Sequence, residues 1–290
     1  MYSKNISSQQ PALFLFLVDS SGSMSDTWSN SKIGTSLAEG AAISINQIMY
    51  DLSLNACIKD SKIIDRIHIA VYNYNSGVVQ WALPFNPTPG GWANADDWVT
   101  GFTHREEVAI SEDGDRTITQ EVPIWITPSA NGGTPMCAAL NKASEIVQEH
   151  AKTYPDSFPP TVINITDGWP TDGDWSKLKN NAHKITSVST NDGSCLLFNI
   201  HLTRDQSGEQ IELKFPSDIP EYYEENVKNM AEISSILPAN MVLEGKQRGH
   251  VLKENARGFI LNADQTMLSE FLKIGTTQTP INSPMKLIEN

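Results

Sequence analysis

Three short segments of this 290-residue chain hold oxygen donors of the kind that bind a hard cation. Asp19-Ser20-Ser21-Gly22-Ser23 places a carboxylate and two alternate hydroxyls side by side. Gly132-Gly133-Thr134-Pro135 adds a hydroxyl, and Ile165-Thr166-Asp167-Gly168 adds a second carboxylate. Asp19, Ser21, Ser23, Thr134 and Asp167 thus offer two carboxylates and three hydroxyls, with no His or Cys among them. That donor set suits Mg²⁺ or Mn²⁺ in octahedral geometry and disfavours zinc or copper. Two carboxylates balance a divalent charge, and neutral hydroxyls leave the ion electrophilic toward an outside anion. Taken singly, each segment has a plainer reading. Asp19-x-Ser21-x-Ser23 can be a turn with side-chain-to-backbone bonds, Thr134 a helix N-cap, and Asp167-Gly168 an ordinary turn. The order of all three, each at the appropriate end of its element, favours the metal.

The elements that must position these residues alternate between strand and helix, which predicts a doubly wound α/β fold with a mostly parallel sheet. Ala12 to Asp19 is continuously apolar, as a central parallel strand should be. Ile33, Leu37, Ala41, Ile45, Ile48 and Leu52 recur every three or four residues and predict an amphipathic helix. Arg66 to Asn73 reads as a strand, Asn75-Ser76-Gly77 as a turn, and Val78 to Phe85 as an antiparallel edge partner. Residues 86–120 break the rhythm and read as an insertion with a small hairpin around Val108 to Thr119. Val122 to Ile126 is a further apolar run. Thr134 as N-cap with Pro135 at N1 starts a helix that runs to about His150. Thr161 to Thr166 is a buried strand ending at Asp167, and Asp174 caps a helix from Trp175 to about Ile185. Cys195 to Leu202 and Gly258 to Asn262 are strands, and Glu224 to Leu237 and Asp264 to Ile274 are helices. In a parallel sheet, both strand ends and the helix start share the carboxyl edge, where such folds bind ligands.

At that level of detail the chain resembles the von Willebrand factor A domains. The D-x-S-x-S pattern, the Thr after Gly-Gly and the Asp after an apolar strand are similar to their metal-ion-dependent adhesion site. The resemblance implies a Rossmann-like sheet over residues 12–275, preceded by an arm over 1–11 and followed by a tail over 276–290. It implies direct ligation by Ser21 and Ser23, and direct or water-mediated ligation by Asp19, Thr134 and Asp167. The GGTPMCAAL and ITDGWPTDGDW segments resemble bacterial cytoplasmic members of the tellurium-resistance TerY-like type. SSILPANM, ARGFILNAD and FLKIGTT are similar to a bacterial subgroup. The implied function is a non-enzymatic interaction module. Its Mg²⁺ or Mn²⁺ accepts an Asp or Glu from a protein partner, in stress or defence signalling beside a kinase or phosphatase. The insertion at 86–120 and the stretch 203–223 depart from the family pattern.

Composition narrows the alternatives. With 21 Lys and Arg against 34 Asp and Glu, the net charge is −13, which disfavours nucleic acid and anionic membranes as partners. No apolar run approaches the ~20 residues of a membrane span, and Ala12 to Val18 ends in Asp19 with no cleavage signal, so a cytoplasmic protein is expected. Cys57, Cys137 and Cys195 are far apart and read as buried, reduced thiols. The six His fall in no ligand or triad spacing. Trp28 and Trp169 flank the motif loops as rim anchors for a partner or as packing under the loops, and Asp172 extends the acidic rim. Trp92 and Trp98 are expected to pack. A haloacid-dehalogenase-type phosphohydrolase needs an acid/base carboxylate two residues after its nucleophile, where this chain has Ser21. A serine hydrolase lacks its G-x-S-x-G elbow here. A subunit of a chelatase-like machine would leave nucleotide hydrolysis to another polypeptide, since no phosphate-binding loop is present.

Overall fold

A computed structural model describes residues 1–28, 35–113, 116–202 and 213–276. Strand β1 (Ala12–Asp19) is buried throughout, which its unbroken apolar run requires. It lies between β2 (Ile67–Asn75) and β6 (Thr161–Thr166), parallel to both. Beyond β2 runs the antiparallel edge strand β3 (Val78–Trp81). Beyond β6 come β7 (Leu196–Leu202) and β9 (Phe259–Ala263), both parallel, and then the short antiparallel β8 (Leu213–Lys214). The seven-stranded order is therefore β8-β9-β7-β6-β1-β2-β3. The fold is a doubly wound, mostly parallel α/β sheet.

Alternate residues of β1 feed two cores. Phe14, Phe16 and Val18 pack with α1 (Leu37–Leu52), α5 (Ala239–Gln247) and α6 (Gln265–Gly275). Leu13, Leu15 and Leu17 pack with α2 (Met136–Thr153), α3 (Trp175–Thr186) and α4 (Glu225–Ile233). Cys57, Cys137 and Cys195 are free and buried, as their spacing suggested. Among the described residues, no helix is long and apolar enough to cross a membrane.

Several boundaries differ from the sequence reading. Helix α1 starts at Leu37 behind a capping box, in which the Ser36 hydroxyl accepts from Glu39 N and the Glu39 carboxylate accepts from Ser36 N. Ile33, read as the first position of that helix, lies outside the described residues. The edge strand stops at Trp81, short of Phe85. The hairpin of the insertion is much longer than Val108 to Thr119. It comprises β4 (His104–Asp113) and β5 (Arg116–Ile124), and absorbs the apolar run at Val122. Pro123 is tolerated because β5 pairs on one side only. Val108, Val122 and Ile124 pack on Ile43 and Tyr50 of α1, so the hairpin rides on a helix and not on the sheet.

The helix expected over Glu224 to Leu237 stops at Ile233. Pro238 cannot sit inside a helix and biases Leu237 away from helical geometry. The freed segment is used otherwise: Ser235 N donates to Leu197 O, and Leu197 N donates to Ser235 Oγ. Ser235 thereby fills the place beside Leu197 that β9, which begins pairing at Asn199, leaves open. The chain then re-forms a helix, α5, which the sequence reading missed. Of the tail expected over 276–290, residues 277–290 fall outside the described residues, as do residues 203–212 of the 203–223 stretch.

Candidate metal centre

Parallel register brings the motif segments together. Val18 is level with Ile165, so Asp19 and Thr166 leave the sheet as neighbours at its carboxyl edge. Asp19 is buried at 1% exposure, and both its oxygens are bonded. Oδ1 accepts from Ser21 N at 2.8 Å, and Oδ2 accepts from the Thr166 hydroxyl at 2.6 Å. Burial pushes the Asp19 carboxyl up to about 6 against the pull of those two donors, and the nearby Asp167 charge adds to the rise. A buried carboxylate of this kind is stabilised by a cation.

The remaining donors close on it. Ser23 Oγ donates to Asp167 Oδ1 at 2.9 Å, and the Ser21 and Ser23 hydroxyls are 3.2 Å apart. Asp167 itself is buried. The Thr134 hydroxyl lies beside Gly168, 3.5 Å from where a Cβ on that residue would stand. Three backbone bonds dock the Gly132-Gly133 loop: Gly22 N to Gly132 O, Asn131 N to Ser20 O, and Ser76 N to Gly133 O. The approach needs glycine at 132, where φ is +77° and a Cβ would collide with the Ser76 side chain.

Thr134 does not cap α2. The helix begins at Met136, and its first free N–H groups, on Cys137 and Ala138, donate at 2.9 and 2.8 Å to the two oxygens of Asp172. A carboxylate from another loop therefore does the capping, where the helix dipole favours negative charge. The Thr134 backbone is held by Thr171: Thr134 N donates to Thr171 Oγ1, and Thr171 N donates to Thr134 O. The Thr134 side chain takes no part in capping the helix. Asp172, read as part of the acidic rim, faces inward. Asp174 caps α3 as expected, accepting from Lys177 N.

The two rim tryptophans separate. Trp28 is 1% exposed, donates its indole N–H to Ala263 O, and occupies the space a Cβ on Gly40 would need. It is core packing, which corrects its reading as a partner anchor. Trp169 is half-buried and stacks on His201, with centroids 4.9 Å apart. Trp92 and Trp98 both pack, against His68 and through an indole bond to Ile67 O.

The sequence reading missed two features. The first is Thr166, whose hydroxyl holds Asp19. Its place beside Asp167 on a strand end was visible, but its face was not. The second lies near the opposite edge of the sheet, where the buried rings of His68 and His150 meet at 3.1 Å and Asp65 bonds the far side of His68 at 3.2 Å.

Among the described residues, no group of three or more His, Cys, Asp or Glu side chains is arranged to hold a metal. The cluster around Asp19 has two carboxylates and completes its donor set with hydroxyls, which fits a hard divalent cation.

No family model and no curated protein matches the chain. Solved structures do resemble it. One is a von Willebrand factor type A protein from Catenulispora acidiphila, 14% identical over 92% of this chain and 42% of that one, with a TM-score of 0.48. Another is the proximal thread matrix protein 1 of the mussel byssus, 15% identical over 92% and 47%, with a TM-score of 0.48. A third is the ArnB paralog VWA2 from Sulfolobus acidocaldarius, 14% identical over 70% and 37%, with a TM-score of 0.33. The chain spans less than half the length of each of these proteins. Its structural neighbours thus include von Willebrand factor A domain proteins.

Proposed function

We propose that the chain is a metal-dependent protein-interaction module of von Willebrand factor A type. Asp19, Ser21, Ser23, Thr134 and Asp167 would hold Mg²⁺ or Mn²⁺ at the carboxyl edge of the sheet. The observation that carries this reading is the convergence of Asp19, Ser21, Ser23 and Asp167, from segments 144 residues apart, through direct hydrogen bonds. When bound, the ion supplies an electrophilic position for a partner's Asp or Glu carboxylate. The chain's residues do the rest. Thr166 and Ser21 N orient Asp19, Asp172 and Thr171 hold the Thr134 segment in place, and Trp169 offers an aromatic surface beside Asp167.

The TerY-like assignment, a cytoplasmic location, and a place in bacterial stress or defence signalling beside a kinase or phosphatase belong to the same proposal and rest on the motif resemblance. A phosphohydrolase is less well supported. The residue two after Asp19 is Ser21, whose hydroxyl lies against that of Ser23 and cannot serve as a carboxylic acid/base.

The test is a pull-down from source-cell lysate with Mg²⁺, with EDTA, and with Asp167→Ala. A partner captured only by the wild-type chain with Mg²⁺ supports the reading. One that ignores both EDTA and the substitution moves the interaction to the hairpin insertion or the C-terminal region and overturns it.

A further inference from the structure

Behind the candidate metal centre, a line of buried polar side chains crosses the sheet on its α2/α3/α4 face. The Tyr74 hydroxyl donates to Asn164 Oδ1 at 2.8 Å. Asn164 Nδ2 donates to Asn199 Oδ1 at 3.0 Å, and Asn199 Nδ2 donates to Ser234 Oγ at 2.9 Å. Ser234 Oγ in turn donates to Met230 O at 2.8 Å, in the last turn of α4. The line thus runs from β2 through β6 and β7 to a helix end, every bond pointing the same way. Such head-to-tail chains polarise one another and are strongest where water is excluded. Here Tyr74, Asn164 and Asn199 show no exposure and Ser234 only 1%.

The line begins at the metal centre. Tyr74 is level with Asp19 in the β1–β2 register, and Asn164 shares a strand and a face with Thr166, two residues on. Burial together with the Asp19 charge holds the Tyr74 hydroxyl neutral, so it stays a donor. At the far end, Ser234 and Ser235 form the break between α4 and α5. Arg257 anchors that break by donating to Ser234 O at 2.8 Å, and Gly258 N donates to Ser235 O.

Leu or Val on these two strands would bury more apolar surface with no polar groups to satisfy. A polar line retained in a sheet core, fully bonded and joining a charged site to a helix end, points to a task at that site.

We propose that Tyr74, Asn164 and Asn199 are positioning residues. They fix the floor under Asp19 and Thr166, and they tie the state of the metal centre to the last turn of α4. This rests on the metal reading above. Metal-ligating carboxylates depend on such outer partners, whose loss typically lowers metal affinity by about 10–100-fold.

The test combines Mg²⁺ and Mn²⁺ calorimetry with amide hydrogen exchange on the full chain. In the wild-type protein, Mg²⁺ should slow exchange both in the motif loops at Ser20–Met24 and Asp167–Trp169 and in the peptide Met230–Ser235. Asn199→Leu cuts the line without touching a ligand. It should keep metal-dependent protection in the loops, lose it at Met230–Ser235, and weaken metal binding several-fold. Ser234→Ala, which removes one hydroxyl and with it the bonds from Asn199 and to Met230 O, is the milder variant should Asn199→Leu fail to fold, and it should uncouple the α4 peptide in the same way. Thr166→Val should weaken metal binding about 10–100-fold, and Thr166→Ser should restore most of it. Protection confined to the loops in the wild type, or unchanged at Met230–Ser235 in both line variants, overturns the proposal while leaving the metal site intact. A wild-type chain that binds neither cation overturns the metal reading, and this proposal with it.

Discussion

The Ser23 hydroxyl donates to Oδ1 of Asp167 at 2.9 Å, joining loops 144 residues apart in sequence. One bond of this kind contributes only about 1 kcal/mol net, and its significance is geometric. It holds a hydroxyl and a carboxylate at the spacing two ligands of one cation would share.

Asp167→Ala should therefore abolish Mg²⁺ binding by calorimetry. The metal-free chain should stay folded, with its stability changed by about 1–3 kcal/mol in chemical denaturation, since a buried carboxylate that accepts from Ser23 is removed. Retained metal affinity would sink the assignment of this ligand.

Asp172→Ala distinguishes capping from partner contact. With the carboxylate gone, Cys137 N and Ala138 N at the start of α2 lose their acceptor, and stability should fall by about 1–2 kcal/mol. Partner capture per folded molecule should change little. Unchanged stability with lost capture would return Asp172 to the rim.

The two tryptophans should behave in opposite ways. Trp28→Ala empties a fully buried site and should cost about 3–5 kcal/mol, read as a lower denaturation midpoint. Trp169→Ala should leave the midpoint within about 1 kcal/mol and weaken partner capture. A partner that binds both variants like the wild type would remove the aromatic shelf from the interface.

The pH dependence of stability should carry the mark of His150. His68 Nε2 bonds Asp65, and His68 Nδ1 bonds His150 Nε2. His150 Nδ1 has no hydrogen-bond partner among the described residues. Burial, with the His68 charge second, holds the His150 imidazole well below its usual range. Trp92 and Tyr154 close the remaining sides. The unfolded chain takes up a proton below about pH 6.5 that the folded chain refuses. The stability due to this group is thus complete above pH 6.5 and is lost as pH falls, by up to about 1.4 kcal/mol per unit. His150→Gln should flatten that part of the profile. An unchanged slope between pH 6.5 and 5 would show that other groups set it.

The sequence revealed much of this arrangement because its strongest signals were local. An unbroken apolar strand ending in Asp19 and a second ending at Thr166-Asp167 are enough to bring Asp19, Ser21, Ser23 and Asp167 to one edge. What stayed hidden was set by distant partners. Thr134-Pro135 carries a strong local capping signal, yet the cap comes from Asp172, 35 residues from Cys137. Periodicity favoured one helix over Glu224 to Leu237, but Pro238 and the open place beside Leu197 split it. Trp28 and Trp169 looked alike beside their motifs, and only packing against Gly40 and Ala263 distinguishes them. Single polar residues inside strands, such as Asn164 and Asn199, gave no sign that they face one another.

Helix α2 is pinned at both of its ends. Asp172 grips its first amides, and His150, near its last turn, is locked to His68 on the central sheet. Its 18 residues make a rod of about 27 Å. A rod clamped head and foot cannot slide along its axis without breaking bonds at one end or the other. The threonine just ahead of it therefore stands on a fixed mount. On the metal reading proposed above, adjustment around an ion would come from the short loops at Ser20–Ser25 and Gly168–Thr171, and selectivity for ion size would reside in loop stiffness and not in helix travel.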